Sequence, residues 1–245
     1  MPRDKLIQEL AQIISRVSTT QHPVRVAIDG VDASGKTTLA DELAEILRQG
    51  EREGERQSER QSERQDERQI IRASIDGFHN PEHIRRKQGD LSPEGFYYDS
   101  YNYASLEKVL LKPLGPQGNR RFQTAVFNLT KNQPCEAPEK TADRDAILLL
   151  DGIFLLRPCL VSYWDLTVFI HVDFRKTMAR GIQRDATLYG SVGQAAERYR
   201  KRYIPGQQLY FQKAKPLDKA DILIDNNEIN TPKFLRVPTQ FGPEV

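Results

Sequence analysis

Gly30-Val31-Asp32-Ala33-Ser34-Gly35-Lys36-Thr37 spells G-x-x-x-x-G-K-[ST] at every fixed position. The spelling has a chemical reason. Backbone N–H groups that converge on phosphate oxygens need glycine where the chain bends or a side chain would collide. A helix starting at the end of such a loop aims its positive end at the anion. Lys36 can then reach the β- and γ-phosphates, and the Thr37 hydroxyl can ligate Mg²⁺. Gly30, Asp32, Ala33, Ser34, Gly35, Lys36, Thr37 and Thr38 are therefore the expected cradle for a nucleoside triphosphate. A glycine-rich turn with an exposed lysine is the plain alternative, and the flanking strand and helix patterns weigh against it.

Two carboxylates end apolar runs elsewhere. Asp151 follows Ile147-Leu148-Leu149-Leu150, the usual spelling of a second Mg²⁺-organising element. Asp76 follows Ile70 to Ile75 and is placed to act as general base on an acceptor hydroxyl. Each could instead be a turn carboxylate, since Asp-Gly is common in turns. Arg175, Arg180 and Arg184 fall on one predicted helix, with Arg180 and Arg184 on a shared face at i,i+4. An arginine-bearing element closing over the triphosphate would add transition-state charge and exclude water. A solvated basic face is its plain alternative. His79 and His83 have metal-ligand spacing on a helix, but Pro81 lies between them and no third ligand is near, so His79 is read as a neighbour of the acceptor. Cys135 and Cys159 have no base pattern beside them and are read as structural.

The elements that must position these residues follow from periodicity. Val24 to Ile28 reads as a buried strand, and Thr38 to Leu47 as an amphipathic helix. Leu6, Leu10, Ile13, Ile14 and Val17 place an amphipathic helix over about residues 3–18. Further strands are expected near 70, 146, 166 and 221, with helices at 104–112, 158–164, 174–188 and 192–203. Residues 120–127 alternate like an exposed β-ribbon, 130–145 read as a polar loop, and 227–245 as an irregular tail. This alternation argues for a parallel sheet with helices on both faces, whose ligands bind at the carboxyl ends of strands. Gly30, Asp76 and Asp151 each fall at such an end.

Residues 51–69 differ in kind. Four-residue repeats such as Ser58-Glu59-Arg60-Gln61 and Ser62-Glu63-Arg64-Gln65 offer nothing to bury. Stacked as a helix they would set Glu above Glu and Arg above Arg. The expectation is a mobile charged insertion or a frayed extension of the preceding helix, within one domain spanning 1–245. The net charge of +2 gives no reason to expect a nucleic-acid or membrane partner. Two cysteines fit a reducing cytoplasm.

With these pieces in place, the chain resembles the uridine kinase-like branch of the phosphate-loop kinases, which also holds phosphoribulokinase and pantothenate kinase relatives. The matching residues are Gly30 to Thr38, Ser74-Ile75-Asp76-Gly77-Phe78-His79, Phe96-Tyr97-Tyr98-Asp99, Leu148 to Phe154, and the arginine helix ending Arg184-Asp185. The resemblance implies a three-layer α/β fold with five parallel strands and a small arginine-bearing lid. It implies ATP or GTP as donor, Mg²⁺, and a small nucleoside-like acceptor. A homo-oligomer is compatible with it. It assigns Asp76 as the base, Asp99 to ribose hydroxyls, and Arg180 and Arg184 to the lid. His79, Tyr98 and Arg121 are expected beside the acceptor. Gly77 and His79 stand where uridine kinases carry Ser and Tyr, and Asp151 where many relatives carry Glu.

The expected activity is therefore transfer of a γ-phosphate to a hydroxyl of a uridine- or cytidine-like nucleoside or a related polyol. The alternatives are a nucleoside monophosphate kinase, or an NTP-binding or switch protein without kinase activity. A switch would want a D-x-x-G element after the second or third strand and an N-K-x-D base reader; neither appears there, and Asp151-Gly152-Ile153-Phe154 lacks the final glycine.

Overall fold

The computed structural model describes residues 1–19, 21–58 and 68–241. The chain opens with helix α1 (Arg3–Arg16), strand β1 (Val24–Gly30), helix α2 (Lys36–Ser58) and strand β2 (Ile70–Ser74), which runs into a 3-10 turn over Ile75–Phe78. Short helices α3 (Glu82–Arg85), α4 (Pro93–Asp99) and α5 (Tyr103–Leu106) follow, the last continued by a π-helical turn. A ribbon of short strands comes next: β3 (Arg121–Phe122), β4 (Phe127–Asn128), β5 (Gln133–Pro134) and β6 (Lys140–Thr141). Strands β7 (Ile147–Gly152) and β8 (Leu166–His171) return to the core. Helices α6 (Phe174–Asp185) and α7 (Val192–Arg198), a π-helical turn over Tyr199–Tyr203, and helices α8 (Ile204–Ala214) and α9 (Pro216–Lys219) lead to β9 (Ile222–Asp225) and β10 (Lys233–Arg236).

The main sheet runs β10-β9-β8-β1-β7-β2. All neighbours are parallel except β10 on β9. β1 is buried at every position, as a central strand covered on both faces must be. Alternation divides its side chains between two cores. Val24, Val26 and Ile28 pack with α1 and α2, while Ala27 faces the cluster that holds Phe154 and Tyr210. Arg25 is tolerated inside because Asp165 accepts from its Nε (3.1 Å), Nη2 (3.2 Å) and backbone N–H (2.8 Å).

Register brings the carboxyl ends together. Asp151 aligns with Ile28 of β1 and with Ser74 of β2. The Gly30 loop and the Asp76 turn therefore emerge beside Asp151, at one end of the sheet, where open α/β sheets bind ligands.

Several sequence expectations are corrected. The tail after 227 is not irregular throughout, because Lys233–Arg236 adds a sixth, antiparallel edge strand. That strand is held by backbone bonds with only Phe234 packed inward, so it carries little apolar alternation. The expected helix at 192–203 continues through a π turn to Ala214. The stretch 158–164 holds only a 3-10 turn at Val161–Tyr163. The expected ribbon is two short ladders, β3 with β6 and β4 with β5, so the polar loop at 130–145 supplies the returning strands. The helix from Lys36 runs to Ser58, into the charged repeat; the rest of the insertion, 59–67, lies outside the described residues.

Candidate active site

The loop between β1 and α2 is built for close approach. Gly35 has φ +93°, a left-handed conformation that glycine adopts without steric cost. Neighbours hold the loop from three sides. Asn226 Nδ2 donates to the Ser34 carbonyl (2.8 Å), and the Asp32 N–H donates to Gln207 Oε1 of α8 (2.8 Å). Behind it, the buried Asp29 carboxylate accepts from the N–H groups of Gly30 (2.6 Å) and Leu156 (3.0 Å) and from the Tyr210 hydroxyl. Burial raises the Asp29 pKa to about 6, against the lowering effect of those hydrogen bonds. Sequence reading missed Asp29, Gln207 and Tyr210, and no motif spacing links them.

Two cavities meet at Lys36. One, of about 370 Å³, is lined by Ala33, Gly35, Lys36, Thr37, Thr38, Arg180 and Arg184. The other, of about 280 Å³, also reaches Ala33, Lys36, Thr37 and Arg184, and adds Asp76, His79 and Asp151 with an aromatic wall. Lys36 Nζ donates to the Val31 carbonyl (2.7 Å), folded over its own loop. Thr37 Oγ1 donates to Asp151 Oδ2 (2.6 Å). Arg72 Nη1 stands 2.8 Å from Asp151 Oδ1, off the line of a hydrogen bond, while its Nε donates to Asp41 (2.8 Å). Asp151 Oδ1 therefore keeps acceptor capacity in a buried setting.

Mg²⁺ favours oxygen ligands and is usually held by one or two carboxylates together with substrate phosphates. Thr37 Oγ1 and Asp151 fit that donor set. Among the described residues no group of three or more His, Cys, Asp and Glu side chains gathers around a common point, so the His79–His83 pair gains no third ligand.

Asp76 sits in the 3-10 turn, its side chain largely exposed to the cavity. His79 Nδ1 is 3.1 Å from the Asp76 carbonyl and 3.8 Å from its carboxylate. Burial lowers the His79 pKa, so the ring is neutral, and it packs on Tyr101 at 4.5 Å. Gly77 has a packing reason: a Cβ there would stand 2.8 Å from Ala125 Cβ and 2.9 Å from the Thr124 carbonyl, where the ribbon crosses the turn.

The lid side comes from α6 to α8. Arg184 binds Asp185 through Nε (2.7 Å) and Nη2 (3.0 Å), and Tyr199 donates to the same carboxylate (2.9 Å). That pairing raises the Arg184 pKa further. Arg180 lies on the Thr38 side and donates to the carbonyls of Asn226 and Asn227. Phe96, Tyr101, Tyr189, Tyr199 and Tyr203 form the aromatic wall. Sequence reading missed most of these, because they come from separated elements.

Three expected acceptor residues stand elsewhere. Asp99 is buried against Gln88 Nε2 (2.5 Å) and Lys87 Nζ (3.0 Å) and does not line the cavity. Tyr98, on the exposed side of α4, packs its ring against Tyr97. Arg121 pairs with Glu139 on the ribbon. In each case helix or strand phase turns the side chain away from the cavity.

Comparison with known proteins completes the picture. Residues 26–229 match the profile of the Phosphoribulokinase / Uridine kinase family. A possible uridine kinase from Bacillus stearothermophilus superposes with a TM-score of 0.66 at 18% identity, covering 90% of this chain and 97% of that one. A D-glycerate 3-kinase from Cryptococcus neoformans superposes with a TM-score of 0.59 at 13% identity, covering 95% and 99%. A search of curated proteins gave no match. The chain belongs to the phosphoribulokinase/uridine kinase family, and these structures share its fold.

Proposed function

We propose that this member of a kinase family transfers the γ-phosphate of ATP or GTP to a hydroxyl of a small acceptor, a uridine- or cytidine-like nucleoside or a related polyol. One observation carries the reading: Lys36, Thr37, Asp151, Asp76 and Arg184 line a single cavity although they come from four separate elements. Phosphoryl transfer needs little covalent chemistry from the protein. It needs the phosphoryl group held, its charge neutralised and the acceptor hydroxyl aimed.

The residues divide that work. The loop Gly30 to Thr38 cradles the phosphates with backbone N–H groups, and Lys36 swings from the Val31 carbonyl onto the β- and γ-phosphates. Thr37 and Asp151 hold Mg²⁺, which neutralises phosphate charge when bound. Arg184, fixed by Asp185 and Tyr199, faces both cavities and stabilises charge on the transferring group. Asp76 accepts the proton of the attacking hydroxyl. An ordinary carboxylate suffices, because most of the barrier is positional and electrostatic. His79, neutral and packed on Tyr101, holds the Asp76 turn and borders the acceptor. Arg180 positions the lid helix through its carbonyl bonds to Asn226 and Asn227 rather than touching the reacting atoms. Among the described residues no helix is long and apolar enough to cross a membrane. We place the reaction in a reducing cytoplasm on the ground of the chain's two cysteines.

The test is nucleotide consumption by the purified chain with Mg²⁺ against a panel of nucleosides, nucleoside monophosphates and small polyols. We expect acceptor-dependent turnover that Asp76→Asn abolishes. Acceptor-independent hydrolysis, equal in the variant, would return the protein to the binding or switch class.

A further inference from the structure

We propose a second, non-catalytic site at the amino end of the main sheet, which takes a polar phosphate-bearing small molecule of about the size of a sugar phosphate. It does not rest on the kinase reading. Its placement follows from register. Val24 of β1 aligns with Ile147 of β7, so the segments that lead into the two strands emerge side by side. Gln21 and Arg144 each stand three residues ahead of those positions. The turn after Pro113 adds Gln117, Gly118 and Arg120. Together these residues line a cavity of about 600 Å³ that shares none of its described lining with the two cavities at Lys36. β1 runs for seven residues, which sets the two ends of the sheet roughly 20 Å apart. A ligand held here touches no group of the proposed transfer.

The lining sets the chemistry of the ligand. Arg120 and Arg144 are its charged members, and no carboxylate stands among the described lining residues. Arg120 Nη1 donates to the Ala142 carbonyl (3.0 Å), which orients the guanidinium and leaves its other nitrogens without a partner among the described residues. Arg144 makes no hydrogen bond or ion pair there. Asp143 and Asp145 flank it in the chain but do not line the cavity, and Arg25 behind the turn is committed to Asp165. Two guanidinium groups facing one space repel each other until an anion joins them, and each fork matches a pair of phosphate oxygens. Gln21 and Gln117 bring amides that both donate and accept, as sugar hydroxyls require. No aromatic or apolar side chain is among the described lining residues, so a nucleobase finds no face to stack on. The volume lies within the range of ligand sites and exceeds what a lone phosphate fills. The turn itself is held in place for Arg120. Gln117 and Arg120 both sit at φ +63°, a left-handed conformation unfavourable for a side-chain-bearing residue, and a Cβ at Gly118 would collide with the Pro113 carbonyl. The Arg120 N–H donates to that same carbonyl (3.0 Å), and the Arg120 carbonyl accepts from the Ala142 N–H (2.9 Å).

The experiment titrates the full ¹⁵N-labelled chain with ribose 5-phosphate, UMP and citrate, and follows the arginine Nε–Hε resonances of Arg120 and Arg144, assigned with Arg120→Gln and Arg144→Gln. Calorimetry with inorganic pyrophosphate counts binding sites in the parent, in Lys36→Ala and in the Arg120→Gln/Arg144→Gln double variant. We expect both resonances to move with ribose 5-phosphate. Pyrophosphate should find two sites in the parent, and Lys36→Ala should keep the one that the double variant loses. Either single variant should weaken that site by about tenfold or more, and added salt should weaken it in the parent. Both arginines are exposed, so the double variant should keep the parent's thermal midpoint. Resonances that stay still with ribose 5-phosphate, or pyrophosphate sites unchanged in the double variant, overturn the proposal. Citrate moving them at lower concentration than ribose 5-phosphate overturns the phosphate assignment, and UMP doing so overturns the exclusion of a base. None of these readouts depends on turnover, so failure here leaves the kinase reading where it stands.

Discussion

On one side of Lys36 lie Gly35, Thr38 and Arg180; on the other stand Asp76, His79, Phe96, Tyr101, Tyr189 and Tyr203. The first cavity is mostly backbone, small side chains and the two helix arginines. It suits a ligand whose recognisable part is a chain of phosphates, the same for every donor. The second is walled by large side chains brought from the Asp76 turn, α4, the α6–α7 connection and the π turn. A wall of that kind can be changed one residue at a time without disturbing the phosphate loop. The contrast separates how the protein would hold its donor from how it would choose its acceptor, and it can be broken by substitutions on either side.

The largest effects come from the two residues nearest the proposed transfer. Asp76→Asn is expected to lower kcat by about 10²–10⁴-fold, the usual contribution of a positioned base. Its affinity for a fluorescent nucleotide should stay within about twofold of the parent. Lys36→Ala should lose turnover and nucleotide affinity together, because the lysine touches the phosphates. Stopped turnover with intact nucleotide binding in Lys36→Ala, or lost binding in Asp76→Asn, would erase the division between the cavities.

The same contrast explains what could be read from the sequence. The donor side is spelled in consecutive letters, since a cradle of backbone N–H groups needs glycines at fixed spacing. The strands that carry Gly30, Asp76 and Asp151 are apolar runs, and strand-end carboxylates mark the carboxyl edge of the sheet. The acceptor wall has no such spelling. Tyr101, Tyr189, Tyr199 and Tyr203 are spread over about a hundred residues, and only the course of α6 to α8 brings the last three to one place. Asp99 shows the converse: its motif letters are legible in the sequence, while its carboxylate accepts from Gln88 and pairs with Lys87, contacts that the motif does not spell. Asp29 was illegible because a polar residue in an apolar strand signals nothing until Tyr210 and Leu156 arrive from afar. The edge strand β10 escaped because backbone pairing needs no side-chain pattern.

Arg72 sits behind the point where the two cavities meet, paired with Asp151 and Asp41. Arg72→Met would leave the buried Asp151 without its cation. Removing one partner of a buried pair costs about 3 kcal/mol, so denaturant unfolding should show a loss of that order. If Arg72 also fixes the rotamer that accepts from Thr37, the Mg²⁺ concentration for half-maximal turnover should shift while the acceptor KM does not. An equal shift in acceptor KM would mean that Asp151 serves both cavities.

Beneath the donor loop, Asp29 makes stability depend on pH. Its folded pKa, raised by burial to about 6, exceeds the usual unfolded value of about 3.9. The folded state therefore binds more protons between those values, and this group's contribution to stability falls as pH rises through the window. The loss totals up to about 3 kcal/mol and is complete above the folded pKa. Denaturant unfolding at pH 4 to 7.5, compared with Asp29→Asn, isolates it: the difference between the two proteins should change with pH only in that range. Tyr210→Phe removes a hydrogen bond that lowers the pKa, so its window should extend to higher pH. A pH-independent difference would mean that Asp29 is ionised throughout.

Tyr203 offers the smallest and most selective test of the acceptor wall. Its ring packs edge-on against Phe96 at 4.9 Å and Tyr199 at 5.2 Å, and its hydroxyl meets that of Tyr189 at 2.5 Å. Tyr203→Phe keeps both ring contacts and deletes one hydroxyl. A neutral hydrogen bond of this kind is worth about 1 kcal/mol, so the acceptor KM should rise roughly fivefold. The hydroxyl is absent from the wall of the donor cavity, so the nucleotide KM and the kcat at saturating acceptor should stay within about twofold. Tyr203 is also the residue whose carbonyl accepts from Gln207 Nε2 (2.9 Å), and Gln207 in turn holds the Asp32 N–H. That link runs through the Tyr203 backbone, which the substitution leaves in place. A change confined to the acceptor KM would therefore locate recognition in the side-chain wall. A change confined to the nucleotide KM would show that the wall communicates with the loop through α8, and the two cavities would then have to be treated as one.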